Sequence, residues 1–338
     1  MPDVAHDTVE AAPTSDRNLT IVQAMREALV EEMTRDPDVF VVGEDVRIGG
    51  VFHLTLNLVD EFGLERVIDT PISEAGFTGL GVGAAIDGMR PVVDFQYGDF
   101  VFTAMDQLIQ QASKLRYMSG GQVKVPLVIH LPTGASGRGA QHCNPIEGFC
   151  YPIPGIKLVT PSSPYDAKGL MKAAIREDNP VFVVQHKRLG RIREEVPEGD
   201  YEVPIGKARV VREGKDITLV ATSFMVHEAL AAADKLKDRG IEAEVVDPRT
   251  LVPLDIDTIV ESVKKTHRVV VAHEAVRFCG VGAEIASQIT EQAFDYLDGP
   301  PLRVGAPSSP VPYSPVLEKE WVPGTDEILT AAAQLMGA

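Results

Sequence analysis

The stretch Asp69–Gly88, DTPISEAGFTGLGVGAAIDG, decides how the rest of the chain is read. It has a polar, proline-containing approach, one carboxylate at Glu74, and then a run of Gly, Ala and small apolar residues. An interior glycine costs a helix about 1 kcal/mol relative to alanine. Gly76, Gly79, Gly81 and Gly83 are therefore unfavourable in a helix unless another backbone or a ligand must approach closely. Glu74 stands at the start of this segment, where the free N–H groups of a helix favour negative charge. On this stretch alone it is equally an acid/base group or an N-terminal charge or cap.

Gly79, Gly81 and Ala84 also spell G-x-G-x-x-A, with Asp99 twenty residues past Gly79. A dinucleotide fingerprint needs its first glycine in the turn directly after a strand. Here the preceding strand candidate ends near Ile68, and a ten-residue segment with Pro71 intervenes. That context argues against a nicotinamide site.

Outward from this stretch the pattern is regular. Thr20 with Gln23 reads as a capping box ahead of Ile21, Met25, Ala28, Leu29 and Met33 at helical spacing. Short apolar strands are expected at 39–42, 66–68, 91–95, 127–131, 156–160 and 181–185. They alternate with helices at 54–62, 100–118 and 165–177. A charged, Pro- and Gly-bearing segment interrupts the alternation, which resumes with strands at 217–222, 243–246, 268–272 and 302–304 and helices at 227–239, 255–265, 281–296 and 326–336. Alternation of this kind predicts an α/β fold of two domains, each a mainly parallel sheet covered by helices. The expected division is a leader at 1–18, a first domain at 19–187, a linker at 188–206 and a second domain at 207–338.

The 338 residues suffice for two ordinary cores. With 44% hydrophobic and 24% charged residues, the composition is that of a soluble globular protein. The 49 acidic against 32 basic residues leave a net charge of −17, which excludes a nucleic-acid backbone as partner. No apolar run reaches the ~20 residues of a bilayer span, so no membrane is expected. Cys143, Cys150 and Cys279 lack C-x-x-C spacing, which points to free thiols, no structural zinc and a reducing cytoplasm.

Ligands of parallel sheets sit beyond the carboxyl ends of the strands. Two polar loops qualify: the one holding Glu74, and Pro132–Gly148, PTGASGRGAQHCNPIEG. His142 is the residue of the second loop able to move protons near neutral pH, and it is either catalytic or a hydrogen-bonded structural group.

Five blocks carry a resemblance: DTPISEAGF, KLRYMSGG (Lys114–Gly121), GAQH ending at His142, PGIKLVTPSSPYDAKGL (Pro154–Leu170) and VVDPRTLVPLD (Val245–Asp255). From about residue 19 to the C-terminus the chain resembles the beta subunits of thiamine-diphosphate-dependent 2-oxo acid dehydrogenases. These are the decarboxylating components of the pyruvate, branched-chain and acetoin dehydrogenase complexes. The resemblance implies a transketolase-like, pyrimidine-binding first domain and a transketolase-type second domain. It makes Glu74 the carboxyl beside the cofactor's pyrimidine, set in a largely apolar pocket. Phe100 packs on that ring, Gln96 lies near it, and His142 serves substrate binding and transfer of the acyl group to lipoyl. It also implies potassium held by carbonyls of Leu127, Ala174, Glu177 and Asn179. Gln185 stands where relatives commonly have Glu, and Cys279-Gly280 where Gly-Gly is usual.

The metal–diphosphate segment of thiamine enzymes, G-D-G…N, is missing: Gly98-Asp99 precedes Phe100, and Gly199-Asp200 precedes Tyr201. The resemblance therefore implies a divided site. An alpha subunit would bind magnesium and the diphosphate, two alpha and two beta subunits would assemble, and a dihydrolipoyl acyltransferase core would receive the acyl group. A small 2-oxo acid, pyruvate foremost, is the expected substrate, with branched-chain 2-oxo acids and acetoin as alternatives. A regulatory or scaffold subunit that kept only the fold is the competing non-enzyme reading.

Overall fold

The computed structural model describes residues 17–337. The expected leader lies outside these residues up to position 16. Arg17 pairs with Glu27 at 2.8 Å, and Asn18 opens the first strand.

In chain order the strands are β1 (Asn18–Thr20), β2 (Val39–Gly43), β3 (Val67–Asp69), β4 (Arg90–Asp94), β5 (Val128–Thr133), β6 (Lys157–Val159) and β7 (Val181–His186). They continue with β8 (Arg193–Glu195), β9 (Arg209–Arg212), β10 (Ile217–Ala221), β11 (Ala243–Asp247), β12 (Thr250–Val252), β13 (Val269–Val276) and β14 (Leu302–Ala306). A seven-stranded sheet runs β12-β6-β7-β5-β4-β2-β3, parallel except for its edge strand β12. A five-stranded sheet runs β14-β13-β10-β11-β9, parallel except for β9.

The central strands are buried along their whole length because apolar side chains leave both faces. One face of the larger sheet packs Phe77, Phe95, Leu127 and Phe182, and the other packs Ile21, Leu29, Val41 and Met171. The smaller sheet is lined by Leu219, Ala229 and Ile328 on one side and by Val220, Ile259 and Ile285 on the other. The apolar run of a parallel strand reads this way because helices cover both of its faces.

Thr20 caps the helix Ile21–Arg35 through the expected box, its Oγ1 accepting from Gln23 N at 3.2 Å. That helix lies along Pro164–Arg176, and buried Lys168 and Lys172 fasten the two. Lys168 Nζ donates to Glu27 and Glu31, both at 2.7 Å, and to the carbonyl of Gly199. Lys172 reaches Glu31 and Asp200. The segment 188–206 is thereby fastened to the first sheet's helices, and β8 within it pairs antiparallel with β1. The edge strand β12 comes from beyond this segment, so the chain after 207 adds a strand to the first sheet.

Two expected helices differ. The 54–62 helix shrinks to Leu58–Phe62, because His53 and Asn57 adopt φ of 63° and 67°. The long helix at 100–118 is three joined pieces: a tight 3₁₀ turn at Gly98–Ala104, a wide π-helical stretch at Asp106–Ala112, and an α-helix at Ser113–Met118. Each change of pitch re-aims the side chains that follow. Cys143 and Cys150 are buried free thiols, and Cys279 is an exposed one.

Candidate active site

Strand β3 ends at Asp69, Pro71 turns the chain, and the helix Glu74–Ile86 begins with Glu74 in its first turn. Ser73 makes no side-chain cap, so the carboxylate of Glu74 supplies negative charge to the free N–H groups there. Its Oε2 accepts from Thr103 Oγ1 at 3.3 Å. The inner face of the helix sits so close to β4 that a Cβ on Gly81 would lie 2.8 Å from Val93 Cγ2. Gly79, Gly81 and Ala84 are thus inside a helix rather than in a post-strand turn, and Asp99 Oδ1 is spent on Asn144. The nicotinamide reading lacks both of its contacts.

Glu74 is not a lone acid. It is half-buried, and Glu44, from the turn after β2, lies close by. Burial pushes the Glu44 carboxyl above its ordinary value, and the charges of Glu74, Asp45 and Asp69 push it further. Glu44 Oε1, Asp69 Oδ1 and Thr70 Oγ1 are buried without a hydrogen-bond partner among the described residues. Buried polar atoms of this kind are satisfied by a water or a polar guest.

The 3₁₀ turn Gly98–Ala104 joins the two halves of the site. Gly98 is required there, since a Cβ would stand 2.4 Å from Thr133 Cγ2 at the end of β5. Thr103 on this turn touches Glu74, and the Phe100 ring stands edge-on to the His142 imidazole with centroids 5.4 Å apart. Tyr97 packs against the same imidazole at 4.8 Å and against Phe100 at 5.7 Å. Arg138 Nη1 donates to the Tyr97 hydroxyl at 3.2 Å. Asp99 Oδ1 accepts from the backbone and side-chain amides of Asn144, which holds the loop two residues past His142. Lys187 Nζ donates to the His142 carbonyl and lies 5.3 Å from the Tyr97 ring centre. Burial lowers the Lys187 pKa, against the pull of Cys143, Asp99 and Glu274.

Glu74, Phe100 and His142 therefore gather around one turn. Gln96 stands at the margin with its amide already engaged: Nε2 donates to the Glu44 carbonyl, and Oε1 accepts from Val51 N at 3.0 Å. It clamps the 44–51 loop. The Leu127, Ala174 and Glu177 carbonyls each already accept a hydrogen bond, from Val181 N, Glu177 N and Arg90 Nη1 respectively. Asn179 Oδ1 accepts from Arg116 at 2.8 Å. Arg90 also donates to the Ile175 carbonyl at 2.9 Å, so a guanidinium supplies positive charge at this turn.

Thr103, Tyr97, Glu44 and Lys187 escaped the sequence reading. Glu44 lies in a strand-following polar turn, Gly43-Glu44-Asp45, and that placement was the available signal. Nothing in the order of residues ties Lys187 to a loop forty-five positions upstream.

The described fold and site define a transketolase-type chain. The family described as "Transketolase, pyrimidine binding domain" matches residues 17–193, and "Transketolase, C-terminal domain" matches residues 206–328. A solved structure titled "Split gene transketolase, inactive beta4 tetramer" shares the fold, with a TM-score of 0.78 at 24% identity over 94% of this chain and 98% of that one. Among curated relatives, the acetoin:2,6-dichlorophenolindophenol oxidoreductase subunit beta of Bacillus subtilis (strain 168) is 44% identical over 95% of this chain and 98% of its own. The pyruvate dehydrogenase E1 component subunit beta of Rhizobium meliloti (strain 1021) is 45% identical over 97% of this chain and 72% of its own. The 2-oxoisovalerate dehydrogenase subunit beta of Bacillus subtilis (strain 168) is 44% identical over 94% and 98%. The chain belongs to this family of 2-oxo acid and acetoin dehydrogenase beta subunits, whose cofactor is thiamine diphosphate. No helix among the described residues is long and apolar enough to cross a membrane.

Proposed function

We propose that this chain is the beta half of a cytoplasmic heterotetrameric dehydrogenase that decarboxylates a 2-oxo acid, pyruvate foremost, and passes the acyl group to lipoyl on an acyltransferase core. The observation that carries the reading is the convergence of Glu74, Phe100 and His142 on the turn Gly98–Ala104. The orphaned oxygens around Glu74 suit a nitrogen heterocycle bearing an exocyclic amine, and Phe100 offers it a ring to pack against. Thiamine diphosphate, when bound, supplies the carbon nucleophile that attacks the 2-oxo group. Glu74 would hold a proton against the pyrimidine nitrogen, aided by the Thr103 hydroxyl. The His142 ring nitrogens have no hydrogen-bond partner among the described residues, while rings and backbone contacts fix the imidazole in place. That leaves them available to bind substrate and to move the proton of acyl transfer.

The diphosphate and its magnesium fall to the alpha subunit in this reading, since the chain lacks the G-D-G…N segment. Potassium at the Ala174–Asn179 turn would have to share carbonyls with Arg90. Relatives named for pyruvate, acetoin and 2-oxoisovalerate stand at 44–46% identity, so identity does not separate the substrates. The deciding assay offers pyruvate, three branched-chain 2-oxo acids and acetoin to the chain reconstituted with an alpha subunit, with an artificial electron acceptor. Highest kcat/KM on pyruvate supports the proposal. Preference for acetoin or a branched acid reassigns the substrate, and turnover of none returns the scaffold reading. His142→Ala in the same assembly should impair acyl transfer to lipoyl by tenfold or more while cofactor affinity is kept. Equal loss of both would make His142 a structural residue.

A further inference from the structure

We infer that the second domain acts on the site through two buried carboxylates, Glu274 and Glu318, which are positioning residues for the His142 loop. The inference rests on the proposed role of His142 and adds to it the part played by the C-terminal domain.

Glu274 lies on β13 and Glu318 on the helix Pro315–Trp321, at 4% and 6% exposure. Each spends one oxygen on a backbone N–H of the Gly-rich loop and the other on a cation or imidazole from the end of β7. Glu274 Oε1 accepts from Ala135 N at 2.7 Å, and its Oε2 meets His186 Nε2 at 2.6 Å. Glu318 Oε2 accepts from Gly137 N at 2.7 Å, and its Oε1 accepts from Arg188 Nη2 at 3.0 Å. His186 Nδ1 accepts from Arg188 N, so the ring proton is on Nε2 and is donated to Glu274. Burial pushes the Glu274 carboxyl up, but His186 and the Ala135 N–H outweigh it and hold the group below its ordinary range.

Two residues that flank Lys187 thus link the two domains. His186 and Arg188 reach the second domain's carboxylates, while Lys187 between them reaches the His142 carbonyl. The loop starts so near this hub that a Cβ on Gly134 would lie 2.1 Å from His186 Nε2, and a Cβ on Gly139 would meet Tyr313 of the second domain at 3.1 Å. A Gly-rich loop has few side chains with which to fix its own path. Charge-assisted bonds at Ala135 and Gly137 supply the constraint from outside, and they are stronger than neutral ones. Removing Glu274 leaves the buried Ala135 N–H unpaired, removing Glu318 releases the more exposed Gly137 N–H, and either frees the loop to shift. Displacements near 1 Å cost a catalytic group roughly a hundredfold in rate.

The test uses Glu274→Ala and Glu318→Ala in the full chain. Hydrogen exchange of the isolated chain is read over residues 134–146, with β13 and β10 as internal references. Loop exchange should accelerate roughly tenfold or more while both strands keep their protection. In the reconstituted assembly, acyl transfer should fall roughly tenfold to a hundredfold in kcat, with the KM for the 2-oxo acid unchanged. Repeated on a His142→Ala background, the same substitutions should cost nothing further. Unchanged loop exchange in both variants overturns the clamp regardless of what His142 does. So does an equal kcat loss with and without His142. Full activity of His142→Ala alone would instead remove the reading on which this rests, leaving the exchange result to judge the clamp itself. Should Glu274→Ala fail to fold, Glu274→Gln keeps an acceptor for Ala135 N and loses the pairing with His186, and its loop exchange should accelerate, though less than that of Glu318→Ala.

Discussion

Glu74 sits among carboxylates, which matters more than its half-burial. Glu44 beside it is pushed up by burial first and then by the charge of Glu74. Glu74→Ala should leave folding and assembly intact, because its one hydrogen-bond partner among the described residues is the exposed Thr103 hydroxyl. It should lower turnover by orders of magnitude, because the role proposed for Glu74 is exercised in every cycle. A well-folded variant assembly decarboxylating at a near-normal rate would contradict the assignment. A second acid makes a different prediction. Glu147, behind the His142 loop, is buried with Oε2 unpartnered among the described residues, and burial followed by the Glu274 charge raises its pKa to about 7. Its ordinary value is 4.5, so between 4.5 and about 7 the folded chain keeps a proton that the unfolded chain has lost. Stability therefore falls as pH rises through that window, by about 3 kcal/mol in full. Glu147→Gln should melt higher than the parent at about pH 8, with the gap closing towards pH 5. A gap of constant size would show that ionisation of Glu147 is not its cause.

At the scale of elements, the helix Glu74–Ile86 was readable as one packed tightly on something, and both of its faces now explain the glycines. Gly81 faces inward against Val93, whereas Gly76, Leu80, Gly83 and Ile86 face outward. A Cβ on Gly83 would meet nothing within 4 Å. Gly83→Ala should therefore stabilise the isolated chain by about 1 kcal/mol. Gly83→Phe should fold as well yet fail to join the alpha subunit, as measured by chemical denaturation and by co-purification. Normal assembly of the Phe variant would show that no partner covers this face. Elements with strong periodicity, such as Ile21–Arg35 and the buried strands, were legible because a core selects apolar residues at fixed spacing. The 100–118 segment was legible as helical but not in its changes of pitch, which arise where Gly98 passes over Thr133 and Gly155 presses on the Ser113 carbonyl. Periodicity carries no record of such contacts. Glu74 and His142 stood out because each lies in a polar loop after a strand and in a family block. Glu274 and Glu318 did not: their partners are 88 to 181 positions away, and only the docking of one sheet's helices and loops on another brings them together.

For the whole molecule, the central claim is that this chain carries one end of a divided site. In the proposed reading Glu74 and Phe100 receive a pyrimidine, and the turn Gly98–Ala104 joins them to His142. The charge-assisted contacts to the diphosphate are assigned to the partner in that reading. The chain's −17 charge is also unfavourable for a dianionic ligand until a less acidic subunit docks. The most direct measurement is calorimetric titration of thiamine diphosphate with magnesium into the isolated chain and into the chain reconstituted with an alpha subunit bearing G-D-G…N, each followed by assay on pyruvate. The account predicts weak binding and no turnover for the chain alone, and tight binding with decarboxylation for the assembly. Tight binding and turnover by the isolated chain would contradict it.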